Sequence, residues 1–290
     1  WRWLEDAWAD LRYAWRGFRR NPGFTAVAVL CMALGIGANT AVFSLLNGAF
    51  LRPQAVPEPE RIYQLEMRQK GSSDSWAVSY PVYEEIADAQ KSLQAFAPIG
   101  ETKVRRVRIN NQDIAGDWRT AFAGGQYFDV FPVTPLLGRT IRPADDVPNA
   151  AAYPVLLSYQ AWIRYFDGDR NVVGKPVRIE AGDFEVAGVL PPGFDGVGPG
   201  LNIDLWAPIH SYPHAGLGAN LTSRDVVWFQ VLGRLAPSIA HTLAEAELSG
   251  IIQTAVANDR RIRNAEERVP APKDHYAVLK PAPGGLDYQA

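Results

Sequence analysis

Phe24–Leu51 reads FTAVAVLCMALGIGANTAVFSLLNGAFL, and no charged side chain stands between Arg20 and Arg52. As a helix rising about 1.5 Å per residue, this run is on the order of 40 Å long. A bilayer core needs only roughly 20 apolar residues to be crossed. Thr25, Asn39, Thr40, Ser44 and Asn47 punctuate the run, and Gly35, Gly37 and Gly48 suit close packing against other membrane helices. The stretch predicts a transmembrane helix over residues 23–51. A buried core helix of this length without a charge is rare in soluble domains. A cleaved signal peptide has a shorter apolar region, about 7–15 residues, behind a short basic start.

Working back towards the start, Trp1, Leu4, Trp8, Leu11, Trp15 and Phe18 recur at alternating steps of three and four, which places them on one helical face. Arg2, Glu5, Asp6, Arg12, Arg16 and Arg19 lie off that stripe, and tryptophan favours the headgroup zone. Residues 1–22 therefore read as an amphipathic interfacial helix on the cytoplasmic surface; packing on another subunit is the competing use of such a stripe. Asn21-Pro22-Gly23 ends this helix and turns the chain into the bilayer.

The flanks set the orientation. Arg12, Arg16, Arg19 and Arg20 precede the run, and only Arg52 follows it closely before Glu58 and Glu60. By the positive-inside rule the N-terminus is cytoplasmic and everything after about residue 52 is extracytoplasmic. Over all 290 residues, Lys+Arg 29 against Asp+Glu 31 excludes a strongly basic nucleic-acid binder. The single cysteine, Cys31, excludes an internal disulfide framework and a Cys-rich zinc module.

Beyond the run, Leu51-Arg52-Pro53 through Pro57 and Pro59 is a stiff exit. Strands are expected over 61–68, 95–109, 112–123, 155–157, 226–235 and 274–279, and a hairpin over 177–190 turning at Ala181-Gly182-Asp183. Helices are expected over 79–90 with Ser79 as cap, briefly near 124–131, and over 159–166 and 238–257. The class is α+β: the interfacial and membrane helices, then a two-lobed mixed α/β extracytoplasmic domain over 52–282. A βαβ-type lobe (57–123 plus 225–282) receives an inserted β-rich lobe (124–224). Residues 283–290 read as a linker towards a further membrane segment.

Reactive chemistry is not found. Gly35-Ile36-Gly37 lacks the third glycine of a dinucleotide fingerprint and follows no strand. Gly168–Lys175 resembles a P-loop, but five residues separate its glycines and Pro176 stands where Ser or Thr should hold magnesium. Asp167-Gly-Asp169-Arg-Asn171 starts like a calcium loop but has Val172 at the sixth position and Arg178 at the twelfth. His210 and His214 are four apart with Pro213 between them, a poor zinc spacing. Asp145-Asp146 reads as a solvated turn. Lys103 and Arg105 are expected on one face of a strand and Arg106 and Arg108 on the other. No catalytic, cofactor-binding or metal-ligating residue is expected, and no enzymatic activity.

Several segments together carry a resemblance. Asp10-Leu-Arg-Tyr-Ala-Trp-Arg16, Asn21-Pro-Gly-Phe-Thr25, Ala33-Leu-Gly-Ile-Gly-Ala-Asn-Thr40 and Leu51-Arg-Pro53 come first. Pro135-Leu-Leu-Gly-Arg139, Val172-Val-Gly-Lys175, Val186-Ala-Gly-Val189, Pro192-Gly-Phe194 and Leu205-Trp-Ala-Pro208 follow in order. The chain resembles the N-terminal part of an ABC-transporter permease of the MacB/FtsX type, especially the duplicated permeases of acidobacteria. The resemblance implies a bacterial inner-membrane protein with a MacB-like periplasmic core domain of two lobes, further membrane helices, and a separate ABC ATPase subunit as partner. It also implies a permease dimer or internal duplication, contact with the lipid bilayer, a periplasmic adaptor protein as a further partner, and no nucleic acid. The implied function is coupling of cytoplasmic ATP hydrolysis to periplasmic rearrangement during export. A single-span sensor or scaffold with an extracytoplasmic binding domain is the alternative from a different class.

Overall fold

Asn21 interrupts the helical path after Arg19 and Arg20, and Pro22 restarts it. Proline suits a first helical position because its missing N–H would have no partner there anyway. In the computed structural model, Trp8 and residues 19–46, 56–72, 74–109, 111–194, 196, 198, 201–218, 220–258 and 271–286 are described. Two units result, residues 1–52 and residues 53–290. Helix α1 (Pro22–Leu46) dominates the first, with Thr25 N–H donating to Asn21 O at 3.1 Å. Over Pro22–Thr40 the mean hydropathy is 1.6 and none of the segment is buried within the protein. Phe24, Leu34 and Ile36 are exposed, as a helix apolar on all sides must be unless lipid or other helices cover it. A helix long and apolar enough to cross a membrane thus stands where the membrane span over 23–51 was expected, residues 47–51 lying outside the described ones. Most of the expected interfacial helix over residues 1–22 also lies outside them.

The second unit is built on an eleven-stranded sheet. Its elements in chain order are β1 (Ile62–Gln69), β2 (Ser75–Trp76), α2 (Tyr80–Ala89), β3 (Leu93–Ile109), β4 (Gln112–Ala123), α3 (Tyr127–Val130) and β5 (Leu137–Gly138). There follow β6 (Tyr153–Leu157), α4 (Tyr159–Phe166), β7 (Pro176–Ile179), β8 (Gly182–Val189), β9 (Leu205–Pro208), α5 (Ser211–His214), β10 (Gln230–Leu235), α6 (His241–Asn258) and β11 (His275–Pro281). The strand order is β11-β1-β10-β3-β4-β9-β6-β8-β5, with β2 added to β1 and β7 bridging β3 and β8. The pairs β4–β9 and β6–β8 are parallel. Period-two alternation feeds a core on each face. Phe96, Trp118 and Phe122 enter one core with Ile86, Leu248 and Ile252 of the helices. Ala95, Ala97, Ala121 and Ala123 face the other, where small side chains admit Tyr127, Phe131 and Trp206.

Several sequence expectations need correction. Ser79 precedes α2 in extended conformation, but its hydroxyl makes no capping bond. Ser158, by contrast, caps α4 by accepting from Ala161 N–H at 3.1 Å. The β7–β8 turn is Glu180-Ala181 rather than 181–183, because Ile179 pairs with Gly182 and Glu180 takes the left-handed φ of 52°. The strand expected from Val226 begins at Gln230. Trp228 instead stacks on Tyr212 at 4.1 Å and lies over Gly100, where any Cβ would meet its ring.

Candidate functional site

Helix α2 opens with Tyr80, Pro81 and Glu84 facing an open cleft of about 940 Å³. Across it stand Tyr153 at the start of β6, His210 and His214 around α5, and the loop through Leu221. His210 is fixed by a buried carboxylate: Asp146 Oδ1 accepts from both the His210 backbone N–H and, at 3.0 Å, pairs with ring Nδ1. Asp146 Oδ2 accepts from Gly125 N–H at 2.8 Å, so one side chain ties together three loops. The Tyr80 ring meets the His210 ring edge-on at 5.1 Å and Phe229 at 6.0 Å. Burial first, and then the Asp146 charge, push the Tyr80 and Tyr83 hydroxyls far above the ordinary phenol range. Burial also raises the Glu84 carboxyl; His210 opposes this and Asp88 adds to it.

His214 faces differently. Its Nε2 meets the Asp183 carbonyl at 3.1 Å, and its ring packs on Tyr153 and Phe184. The two histidines are thus committed to separate partners. The expectation of a solvated Asp145-Asp146 turn is overturned. Asp146 is buried as described, and Asp145 accepts both guanidinium nitrogens of Arg139 and the Arg142 N–H. Burial works against the Asp145 charge, but those bonds hold its carboxyl below the usual range. Such a partner, six residues upstream, leaves no local signal in the sequence.

The basic cluster also departs from expectation. Between Val104 and Arg106 the register with β4 shifts by one residue. Val104, Val107 and Ile109 consequently reach the same core, and Lys103, Arg105, Arg106 and Arg108 are all exposed rather than split between two faces. Glu180 accepts from the N–H groups of both Arg105 (2.7 Å) and Arg106 (3.2 Å) at this irregularity. Arg108 pairs with Asp113, Arg106 with Glu180 and Lys103 more distantly with Asp117, so the patch is largely neutralised. The P-loop-like and calcium-like stretch is a turn in which Lys175 Nζ meets Asp169 at 2.7 Å.

At the start of the second unit lies a different constellation, absent from the sequence reading. Glu58 has a left-handed φ of 45° and leads into a 3-10 turn, Pro59–Arg61. Arg61 Nε donates to the Leu235 carbonyl at 2.9 Å while Nη1 pairs with Glu58. Arg234, only 3% exposed, donates from Nε to the Val130 carbonyl at 2.9 Å and from Nη1 to the Glu58 carbonyl at 3.3 Å. Burial, then the charge of Arg61, pulls the Arg234 guanidinium below its ordinary range. The incoming chain is thereby gripped by β10 and by the end of α3.

A charge-free apolar helix and a large sheet domain are the parts of a membrane-anchored protein with an extracytoplasmic domain, and the family supports that class. The family model of the MacB-like periplasmic core domain matches residues 25–251, and the chain belongs to that family. It is thus of the MacB/FtsX permease type, a transporter component whose family works with ABC ATPase partners, as the sequence resemblance implied. In fold it is similar to the periplasmic region of MacB from Actinobacillus actinomycetemcomitans, with a TM-score of 0.52, 16% identity, and coverage of 74% of this chain and 87% of that one. A domain of a putative permease protein from Porphyromonas gingivalis is similar as well, with a TM-score of 0.54, 17% identity, and coverage of 78% and 91%. Comparison with curated proteins gives no match.

Proposed function

We propose that this chain is the permease part of an ABC exporter in a bacterial inner membrane, with its N-terminus cytoplasmic and its main domain periplasmic. A separate ATPase subunit hydrolyses ATP, and α1 carries the resulting displacement to the outer domain. Two lobes, 57–123 with 225–282 and the inserted 124–224, then rearrange. The permease acts as a dimer or an internal duplication and meets a periplasmic adaptor. One observation carries this reading: the family match begins at residue 25, inside the uncharged helix α1, and extends to residue 251 in α6 of the sheet domain. The bonds of Arg61 and Arg234 at Glu58 support it, because a displacement that reaches Glu58 is handed directly to the sheet. A flexible Gly/Ser stretch inserted after Pro53, in the permease assembled with its ATPase, tests the coupling. Export should fall while ATP hydrolysis persists; unchanged export would refute the proposal.

A further inference from the structure

The cleft between α2 and α5 has a chemistry that the permease reading does not use. No lysine or arginine lines it among the described residues, whereas Glu84 does. Glu84 makes no hydrogen bond or ion pair among the described residues, and Asp88 and the buried Asp146 lie close enough to act on the cleft's titrating groups. Pro81, Pro148, Pro213 and Leu221 give the wall apolar surface beside the polar Asn149, Asn220 and Thr222, and the Tyr80 ring, packed edge-on to His210, completes it. A volume of about 940 Å³ lies within the range of small-molecule sites, roughly 300–1,000 Å³.

These features discriminate among ligands. An anion would meet Glu84, and the two histidines of the lining are already committed to Asp146 and to the Asp183 carbonyl. A bare divalent metal needs several oxygen or nitrogen ligands, and no cluster of three or more His, Cys, Asp or Glu suited to one occurs among the described residues. A neutral apolar molecule would leave the Glu84 carboxylate without a partner. A singly charged organic cation with an apolar body satisfies the wall and the carboxylate together, and the aromatic floor adds attraction for it.

We infer that this cleft is a binding site for a small organic ammonium ion, with Glu84 as its counter-charge. The site is independent of ATPase coupling, and the Gly/Ser insertion does not touch it, so the two readings fail separately. The test uses the full chain in phosphatidylcholine nanodiscs, titrated with benzyltrimethylammonium by saturation-transfer NMR against empty nanodiscs. Saturable binding is expected, with benzyl alcohol and benzenesulfonate at least tenfold weaker. Glu84→Gln should weaken benzyltrimethylammonium binding about tenfold, Glu84→Asp should retain it, and Glu185→Gln, in a separate depression beside Val173, should leave it unchanged. Because the Glu84 carboxyl is raised, binding should fade on acidification at a pH above that of an ordinary carboxylate. Absence of saturable binding, equal binding of the alcohol, an unaffected Glu84→Gln, or loss in Glu84→Asp as well would each overturn the inference.

Discussion

At the scale of the residue, single carboxylates fix the backbone where strands fall out of register. Glu180 sits in the left-handed region, inside the β7–β8 turn, and receives two successive N–H groups of β3. The Arg106 side chain that also reaches it is 80% exposed, so that ion pair adds little beside the backbone bonds. Burial opposes the Glu180 charge, yet the Arg105 and Arg106 donors hold its carboxyl below the ordinary range. A carboxyl lowered on folding contributes stability that is fully present above its unfolded value of about 4.3 and disappears as pH falls through the folded value. Glu180→Ala should therefore cost about 1–2 kcal/mol at neutral pH, and the difference from the parent should shrink in acid. Urea unfolding at a series of pH values measures both. A cost that stays constant down to the most acidic condition would contradict the assignment.

At the scale of the element, α1 is distinguished by what it lacks. Its uncharged 25 residues span about 37 Å, beyond the roughly 30 Å of a hydrocarbon core. Leu34, near its centre, is 68% exposed among the described residues. Leu34→Arg should disfavour insertion by about 2.5–3.5 kcal/mol, seen as a shift from the membrane to the carbonate-extractable fraction. The longer helices and most strands were legible in the sequence because period and composition declare them, whereas the single turn of α5 was not: α4 ends where its Trp162–Phe166 stripe ends, and α1 is read from hydropathy alone. What escaped was set by distant partners. The strand from Val226 was shortened because Trp228 is claimed by Tyr212 and Gly100, and the basic residues of β3 share one side because β4 contributes an extra residue opposite Arg105. Of the cleft, only its histidines were visible beforehand. Asp146 and Glu84 gain their meaning from loops more than sixty residues away, such as that of His210.

At the scale of the whole domain, the buried Arg234 binds the first described turn to the sheet through carbonyl groups alone. Arg234→Ala leaves both a cavity and bare carbonyls, and should lower stability by about 2–4 kcal/mol. Arg234→Met refills the volume without a buried charge and should recover much of that loss, since hydrophobic replacement of a buried charged group is frequently neutral. Thermal unfolding of the two variants decides the matter. Equal losses would mean that the hydrogen bonds, rather than the space, matter most.

The pairing of β1 with β11 has a mechanical corollary. Tyr63 lies opposite Pro281, and Ala282 N–H donates to the Ile62 carbonyl, so the polypeptide leaves the sheet beside the point where it came in. A tug that parts those two ends peels the ladder open one rung at a time, the weakest way to load an antiparallel pair. A push applied to both ends in common strains no rung of that pair and is passed on to the strands beyond it. The entry to the domain is therefore firm towards concerted thrust and soft towards splaying, a selectivity written into which strands happen to be neighbours.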